Sequence, residues 1–354
     1  MPGKIRTAIC GLFLTTIAFI APAAAQPRLF SEESEIQLLL EAPFTDLVRA
    51  APRSTEPFAG GVTWSGEGGD STRYDLQIAP RGISRRTRGI CSFPPLRLDF
   101  DQSAMRGTPW RGQNRLKLVT MCRSGDRYEQ MIVLEMLAYR MFNEITPMSF
   151  NVRPARVTYR DANGRRREET QFNFLIEDAS DMARRNERRA VEVLPNEVTS
   201  SQLNPAAAAR VTMFQFMLGN LDWDMTEGVP GEECCHNGKL IGASAEARSD
   251  LIPVPYDFDM TGFVDPPYAL LPAEVRVENL RQRVYRGLCR HNDQVPATIA
   301  HFQARREAIL ALIDGETRLT DARRRTARQF IEGFYAIIDD PERVQNSIIR
   351  RCRG

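Results

Sequence analysis

The sequence contains almost no lysine and very little histidine. Lysine and arginine together number 47, but only Lys4, Lys117 and Lys239 are lysines. None of the three histidines lies beside a Gly-x-Ser-x-Gly motif, which argues against a serine hydrolase of the α/β type. The formal net charge is only +2, so the overall charge does not favour binding to nucleic acid or to an anionic membrane. Individual cations are therefore more informative than the net charge. Lys117 is one of the few lysines and interrupts an apolar run at 116–119.

Long apolar segments are absent after the first 25 residues. The N-terminus has the three parts of an export signal: basic residues at positions 4 and 6, an apolar stretch at 9–20, and three alanines at 23–25. The apolar stretch is shorter than the roughly 20 residues that a membrane-spanning helix needs. We therefore predict a signal peptide at 1–25 and an exported protein, periplasmic or secreted, without stable membrane insertion. An uncleaved N-terminal anchor is the alternative.

Cysteine occurs in an even number once the signal peptide is removed, and an even count in an exported chain favours disulfide bonds. We predict a bond between Cys91 and Cys122, which bracket a strand-rich stretch. Because adjacent cysteines bond to each other with difficulty, we expect Cys234 and Cys235 to pair with the two later cysteines. A zinc site at Cys234, Cys235 and His236 is the alternative, although adjacent ligands lack the usual spacing. The six cysteines are Cys91, Cys122, Cys234, Cys235, Cys289 and Cys352.

Secondary-structure patterns differ between the two halves of the mature chain. In the first half, short apolar runs between Gly, Pro, Ser and Asp clusters predict strands, and a helical period predicts one long helix at 126–143. Asn163 and Gly164 predict a hairpin turn. In the second half helices dominate, and Asn204 followed by Pro205 marks the start of one of them. The predicted strands are at 35–41, 62–64, 74–78, 96–100, 115–121, 151–159 and 171–176, and the later helices at 206–218, 272–288, 295–313, 321–338 and 341–349.

Two acid-rich segments flank a Cys-Cys-His-Asn cluster in the second half. The first contains Asp222 within Asn-Leu-Asp-Trp-Asp, and the second contains Asp257 and Asp259 within Pro-Tyr-Asp-Phe-Asp. Phosphoryl transfer requires one carboxylate to orient the attacking hydroxyl, while an Asn and a second Asp hold the metal ion that bridges the nucleotide phosphates. Asp222, Asn237 and one of the two later acids follow the order of these roles in kinases. The same residue types are also common in plain turns.

Taken in order, these motifs resemble the spore-coat protein H (CotH) family of secreted kinase-like proteins, over most of the mature chain. The likeness rests on Arg-Gly-Ile-Ser at 81–84, Leu-Lys-Leu at 116–118 with the helix after it, Phe-Leu-Ile-Glu at 174–177, and the two acidic motifs. The order Asn-x-Asp, His-Asn, Tyr-Asp is also similar to that of HipA-type kinases. The resemblance implies an α+β, bilobal, atypical protein-kinase-like fold, with a β-rich N-terminal lobe at 26–177 and a mostly helical C-terminal lobe at 178–354.

The resemblance also implies a function and the residues that perform it. The protein would transfer the γ-phosphate of ATP, with Mg²⁺ or Mn²⁺, to Ser or Thr of an exported protein. Asp222 corresponds to the catalytic base, and Lys117 to the lysine that approaches the α- and β-phosphates. Glu135 would orient Lys117, with Glu129 as the alternative. The implied metal ligands are Asn237, Asp257 and Asp259, and the implied phosphate contacts are Arg81, Arg85 and Arg86.

Two features depart from the kinase pattern. Asp222 and Asn237 are far more widely separated than the corresponding residues of the motif H-R-D-x-x-x-x-N. The glycine-rich stretch at 66–69 does not match G-x-G-x-x-G and lies far upstream of Lys117. Two other functions therefore stay open. One is a catalytically inactive kinase-fold binding module; the other is a structural or hydrolytic exported protein with a calcium site at Asp222, Asp224, Asp257 and Asp259.

Overall fold

A computed structural model describes residues 28–65, 71–194, 196–228, 234–272 and 275–354. The predicted signal peptide and the glycine-rich stretch at 66–69 lie outside the described residues. The strands found in this part of the chain are β1 (Ile36–Ala42), β2 (Phe58–Ser65), β3 (Ser71–Pro80), β4 (Leu96–Asp99), β5 (Arg115–Val119), β6 (Val152–Asp161), β7 (Glu169–Ile176), β8 (Arg189–Val191), β9 (Gly238–Gly242) and β10 (Ile252–Pro255). The α-helices are α1 (Phe44–Ala50), α2 (Asp126–Ile145), α3 (Ala179–Arg185), α4 (Pro205–Leu218), α5 (Val295–Ala304), α6 (Arg306–Asp314), α7 (Asp321–Ile338) and α8 (Pro341–Ser347).

Seven strands form a closed barrel in the order β1-β2-β3-β4-β5-β7-β6. Neighbouring strands are antiparallel except at the closure, where β1 and β6 are parallel and Leu38 lies opposite Val157. Side chains alternate along a strand, and Ile36, Leu38 and Leu40 of β1 are accordingly buried. Apolar side chains from all seven strands belong to one buried cluster. The interior of the barrel is therefore a packed core.

The predicted bilobal kinase-like fold is wrong. The strands of the first half close on themselves through the pairing of β1 with β6, instead of forming a separate small lobe. A second apolar cluster joins the barrel to the helices, since it contains Phe174 of β7 together with Phe142 of α2, Phe214 of α4 and Phe334 of α7. Closure depends on pairing between strands that are far apart in the sequence, and no local pattern reveals such a pairing.

Most of the individual elements agree with the predictions from sequence. The strands of the barrel and α2 are confirmed, as is the hairpin turn between β6 and β7, where Gly164 has a φ of 65°. The helix predicted at 272–288 is wrong, because the described residues of that segment, 272 and 275–288, are not helical. The helix predicted at 295–313 is divided into α5 and α6 at Arg305.

Helix α4 leads the chain to the first acidic motif. Asn204 caps its N-terminus, where its side chain accepts a hydrogen bond from the N–H of Ala207, and Pro205 occupies the first turn. The helix ends at Gly219, which adopts the left-handed conformation with a φ of 61°. Because most of α4 is buried, its end fixes the starting point of the loop that carries Asp222.

A separate sheet in the order β10-β9-β8 brings the remaining site segments together. Strands β9 and β10 are antiparallel, and Gly238 at the start of β9 lies opposite Pro255 at the end of β10. The N–H of Tyr256 consequently donates to the carbonyl of Asn237 at 3.0 Å. The sheet thereby places Asn237 beside the segment that carries Asp257.

Three disulfide bonds are formed by the six cysteines. The bond between Cys91 and Cys122 confirms the prediction. The predicted pairing of the other four is wrong, because Cys234 is bonded to Cys235 and Cys289 to Cys352. Cys289 and Cys352 are brought together where the C-terminal residues run beside the segment before α5, with the N–H of Cys289 donating to the carbonyl of Arg353 at 2.8 Å. The bond between Cys234 and Cys235 also excludes the zinc alternative, which requires free thiolates.

In the described part of the chain, no helix has the length and apolar character needed to cross a membrane.

Candidate functional site

Side chains from both halves of the chain meet beside the barrel. Lys117 lies on β5 and Glu135 on α2, while Arg81 and Arg85 follow β3. Arg81 and Arg85 form ion pairs with Asp257 and Asp259 in the loop after β10, and the charges of these two acids also act on Glu135. The site therefore brings together eight of the nine predicted residues: Lys117, Glu135, Arg81, Arg85, Asp222, Asn237, Asp257 and Asp259. The ninth, Arg86, instead donates to the carbonyls of Gly82 and Ala51.

Asp222 is positioned by the loop after α4. Its N–H donates to Oδ1 of Asn220 at 2.9 Å, which is the local turn that Asn side chains favour. Asn220 is held in turn by Gln215 of α4, whose Oε1 accepts from Asn220 Nδ2 at 2.9 Å. The indole N–H of Trp223 donates to the carbonyl of Asn220 at 3.0 Å. A turn at Asn220 and a catalytic role for Asp222 are therefore compatible, because the turn orients the carboxylate of Asp222.

The long separation between Asp222 and Asn237 is closed by a direct contact. Nδ2 of Asn237 donates to the carbonyl of Asp222 at 2.7 Å and to its Oδ2 at 3.0 Å, across fifteen positions of sequence. Asn237 has a φ of 52°, in the left-handed region that Asn tolerates better than most residues. The insert therefore does not prevent the two residues from acting together.

His236 holds the other oxygen of Asp222. Its Nε2 lies 2.6 Å from Asp222 Oδ1, and this hydrogen bond raises the pKa of the imidazole against the opposing effect of burial. About a third of the Asp222 side chain is still exposed, 33%. Asp222 is therefore oriented from two sides and remains open to an incoming group.

Asp257 and Asp259 face two arginines from the turn after β3. Asp257 Oδ2 lies 4.0 Å from Arg81 Nη1, and Asp259 Oδ2 lies 3.8 Å from Arg85 Nη1. Asp259 is buried, and the loss of water together with repulsion from Asp257 raises its pKa. Tyr268 donates its O–H to Asp259 at 3.3 Å. Asp257 is the more accessible of the two acids, with 27% of its side chain exposed.

Glu135 does not form the expected ion pair with Lys117 among the described residues. It is buried on α2, its Oε1 has no hydrogen-bond partner, and burial and the charges of Asp259 and Asp257 raise its pKa well above the usual range. The positive charges of Arg85 and Arg81 act in the opposite direction and lower its pKa. The alternative, Glu129, is engaged elsewhere, since it lies 3.4 Å from Arg156.

Lys117 reaches the site over the ring of Tyr256. Its Nζ lies 3.6 Å from the centroid of the Tyr256 ring and 5.8 Å from that of Phe150, so both aromatic rings attract the cation. Loss of water, followed by repulsion from Arg81 and Lys239, lowers the pKa of Lys117 to about 7. Among the described residues Lys117 has no ion-pair partner, although the charges of Asp257 and Asp178 partly offset the lowering, and an anionic ligand would favour the charged form of Lys117.

No protein-family model matches the chain, and no curated protein is significantly similar to it. The assignment of a function therefore rests on the residues themselves.

The predicted metal ligands are fewer than a calcium site requires. No three His, Cys, Asp or Glu side chains of the described residues form a metal-binding cluster. Mg²⁺ is commonly held by one or two carboxylates completed by phosphates and waters, whereas Ca²⁺ takes six to eight oxygen ligands. The predicted ligands Asn237, Asp257 and Asp259 are closer to the small number of protein ligands that is typical of Mg²⁺. Asp224, which the calcium alternative requires, instead accepts hydrogen bonds from Thr226 at 2.9 Å and faces Arg353 at 3.3 Å.

The electrostatics of the site also fit a divalent cation. Three carboxylates, those of Glu135, Asp257 and Asp259, share this region with the guanidinium groups of Arg81 and Arg85, and Lys117 also acts on Asp257. The buried oxygen Oε1 of Glu135 is without a hydrogen-bond partner. A divalent cation beside Asp257 and Asp259 would reduce the repulsion among these acids, because opposite charge favours the ionised form.

Three contributors were missed by the sequence interpretation. His236 was considered only as a zinc ligand, although its position beside Asn237 in the chain was a usable signal. Tyr256 supports Lys117, and Tyr139 of α2 accepts a hydrogen bond from the N–H of Asp257 at 2.8 Å. Tyr256 belongs to the acidic motif itself and was within reach of sequence reasoning. The sequence around Tyr139 does not indicate this contact, because Tyr139 occupies a position typical of the apolar face of an amphipathic helix.

Proposed function

We propose that this protein is an exported, metal-dependent phosphotransferase that transfers the γ-phosphate of ATP to Ser or Thr of an exported protein. The proposal keeps the chemistry that the resemblance to CotH proteins implies and abandons the bilobal fold. The observation that carries it is the contact between Asp222 and Asn237 across fifteen positions, in a site that also contains Lys117 and Asp257. These are the residue types that phosphoryl transfer needs.

Each residue has a separate role in the proposed reaction. Asp222, held by His236 and Asn237, accepts the proton of the attacking hydroxyl. Asp257 and Asn237 would hold the metal ion, with Asp259 as a further ligand, and the ion supplies charge neutralisation on the phosphates when bound. Lys117 provides a point charge for the α- and β-phosphates, and Arg81 a second cation on the same side.

The second candidate is a nucleotide-binding module without catalysis. It is favoured by one observation, namely that Glu135 and Lys117 do not form an ion pair among the described residues. In active protein kinases this pair must be in place. The two candidates agree on ATP binding and differ only in turnover.

The first prediction concerns the wild-type protein. ATP with Mg²⁺ or Mn²⁺ should raise the melting temperature by a few degrees, since a ligand at about 100 times its Kd stabilises the native state by about 2.7 kcal/mol. Differential scanning fluorimetry with ATP alone, metal alone and both together checks this. An equal shift with metal alone would point to a structural ion, and no shift under any condition would contradict both nucleotide-binding candidates.

The second prediction is that Lys117→Arg impairs nucleotide use although the charge is kept. The ammonium lies 3.6 Å from the Tyr256 ring centroid, and the larger planar fork of Arg would direct its donors differently. We expect the affinity for ATP or the rate of transfer to fall about tenfold or more.

Calorimetric titration and radiolabel transfer measure the two effects of Lys117→Arg. The matched control is Arg115→Lys, a charge-preserving exchange on the same strand at a residue with 59% of its side chain exposed. Equal behaviour of the two variants would mean that Lys117 is only a strand residue.

A further inference from the structure

A concave surface lined by arginines adjoins the candidate site at Arg85. It has a volume of about 340 Å³ and is bordered by the end of α1 and by the segment 85–94. Among the described residues that line it, none is acidic. Its four arginines are Arg49, Arg85, Arg86 and Arg88. We call it the arginine pocket.

The positive charge of the arginine pocket is only partly compensated, since Arg85 pairs with Asp259 but Arg86 has no ion-pair partner among the described residues. Arg88 is exposed and has no ion-pair partner among the described residues, and Arg49 lies 3.5 Å from Asp46 at an exposed position. Arg86 donates to the carbonyls of Gly82 and Ala51, which accept its hydrogen bonds but carry no net charge. Such a surface attracts anions.

The walls of the pocket are held in place by the surrounding structure. The disulfide between Cys91 and Cys122 anchors one wall, and the N–H of Ser92 donates to the carbonyl of Cys122 at 2.8 Å. Arg123 donates to the carbonyl of Ile90 at 3.1 Å. The contact between Arg86 and Ala51, at 2.6 Å, ties this wall to the end of α1. A preorganised pocket loses less entropy when a ligand binds.

Arg85 connects the arginine pocket to the candidate site. Its guanidinium lines the pocket and lies 3.8 Å from Asp259, and its buried Nε has no hydrogen-bond partner. The lining contains no aromatic ring and consists of Arg, Pro and small residues together with Val48. Pockets for small organic ligands are mostly apolar and aromatic, so the lining does not suit a nucleotide base.

We propose that the arginine pocket binds acidic side chains of the acceptor polypeptide beside the Ser or Thr that is phosphorylated. This inference rests on the proposed function and adds the substrate class, namely acceptors with Asp or Glu near the target hydroxyl. Arginine is well suited to this role because its planar fork can donate two hydrogen bonds to one carboxylate.

The test is peptide binding without nucleotide, so that it is independent of turnover. Fluorescence anisotropy on the mature protein compares a labelled peptide of Ser flanked by Glu with the same peptide in which each Glu is Gln. We expect at least about tenfold tighter binding of the Glu peptide, since a hydrogen bond to a charged group is stronger than one to a neutral group. Its binding should also weaken as salt is added.

The variants Arg88→Gln and Arg49→Gln should each weaken binding of the Glu peptide severalfold and leave the Gln peptide unaffected. The control is Arg325→Gln, at an exposed arginine of α7 outside the pocket. Equal affinity for the two peptides would overturn the proposal. So would equal losses in Arg88→Gln and Arg325→Gln. Inorganic phosphate that binds in calorimetry while neither peptide binds would assign the pocket to a free anion and likewise overturn it.

The outcomes also separate this inference from the proposed function. Selective binding of the Glu peptide by a protein that never transfers phosphate would support the pocket and contradict the phosphotransferase. Phosphate transfer at equal rates to acidic and neutral acceptors, unchanged in Arg88→Gln, would support the phosphotransferase and overturn the pocket.

Discussion

Replacement of Asp222 by Asn is expected to abolish most phosphate transfer while metal-dependent ATP binding is retained. The carboxylate is the proposed base, and a positioned acid or base contributes a factor of roughly 10² to 10⁴ in rate. Asn has nearly the same shape: its oxygen can accept from Asn237, which lies 3.0 Å from Asp222 Oδ2, while its NH2 group can donate to a neutral His236, which lies 2.6 Å from Asp222 Oδ1. The loss should therefore come from proton transfer rather than from a disturbed loop.

Two measurements on Asp222→Asn decide the matter, namely radiolabel transfer to exported proteins or to the protein itself, and calorimetric titration of ATP with Mg²⁺. The control is Asp75→Asn, at a residue of β3 with 90% of its side chain exposed. If Asp222→Asn transfers phosphate as fast as Asp75→Asn, Asp222 is not the base. If the wild type binds ATP with metal but never transfers phosphate, the binding-module candidate is favoured.

Replacement of Asp257 by Asn should reduce nucleotide binding and transfer together. It removes a charge from the proposed metal shell, and even the loss of an outer-shell partner typically costs about 10- to 100-fold in metal affinity. The substitution should leave the backbone conformation unchanged, because Asp257 has a φ of 64° and Asn also tolerates the left-handed region. A loss of metal-dependent binding would thus report the charge and not the conformation.

Asp259→Asn provides the comparison for Asp257→Asn. Asp259 is the more buried acid and is already in contact with Tyr268 at 3.3 Å and Arg85 at 3.8 Å. We expect a smaller loss of metal-dependent ATP affinity than in Asp257→Asn. The reverse order would make Asp259 the principal ligand. Full activity in Asp222→Asn, Asp257→Asn and Asp259→Asn alike would contradict the phosphotransferase.

Comparison of Asp222→Asn with Asp257→Asn distinguishes a catalytic base from a metal ligand. Asp222→Asn should change the rate and leave the affinity, whereas Asp257→Asn should change both. An interaction made only in the transition state affects turnover alone, and one made also in the ground state affects binding. A structural calcium site would show neither pattern, because nucleotide would then have no effect on any variant.

The sequence alone determined the local features of this protein. The strands, the long helix α2, the cap at Asn204 and the hairpin turn at Gly164 depend on residues a few positions apart, and each was predictable from its pattern. The rarity of lysine drew attention to Lys117, and the two acidic motifs identified Asp222 and Asp257. Each of these residues lies in the site that the structure assembles.

Only the tertiary structure decided how these pieces combine. Barrel closure depends on the pairing of β1 with β6, and the segment at 275–288 is held without a helix by contacts such as those of Arg283 with the carbonyls of Met217 and Phe330. The charges around Glu135 and the hydrogen bond that Tyr139 accepts from Asp257 depend likewise on elements far apart in the chain. Local patterns report the energetics of neighbouring residues, whereas these features arise from contacts between distant segments and emerge only when the chain has folded.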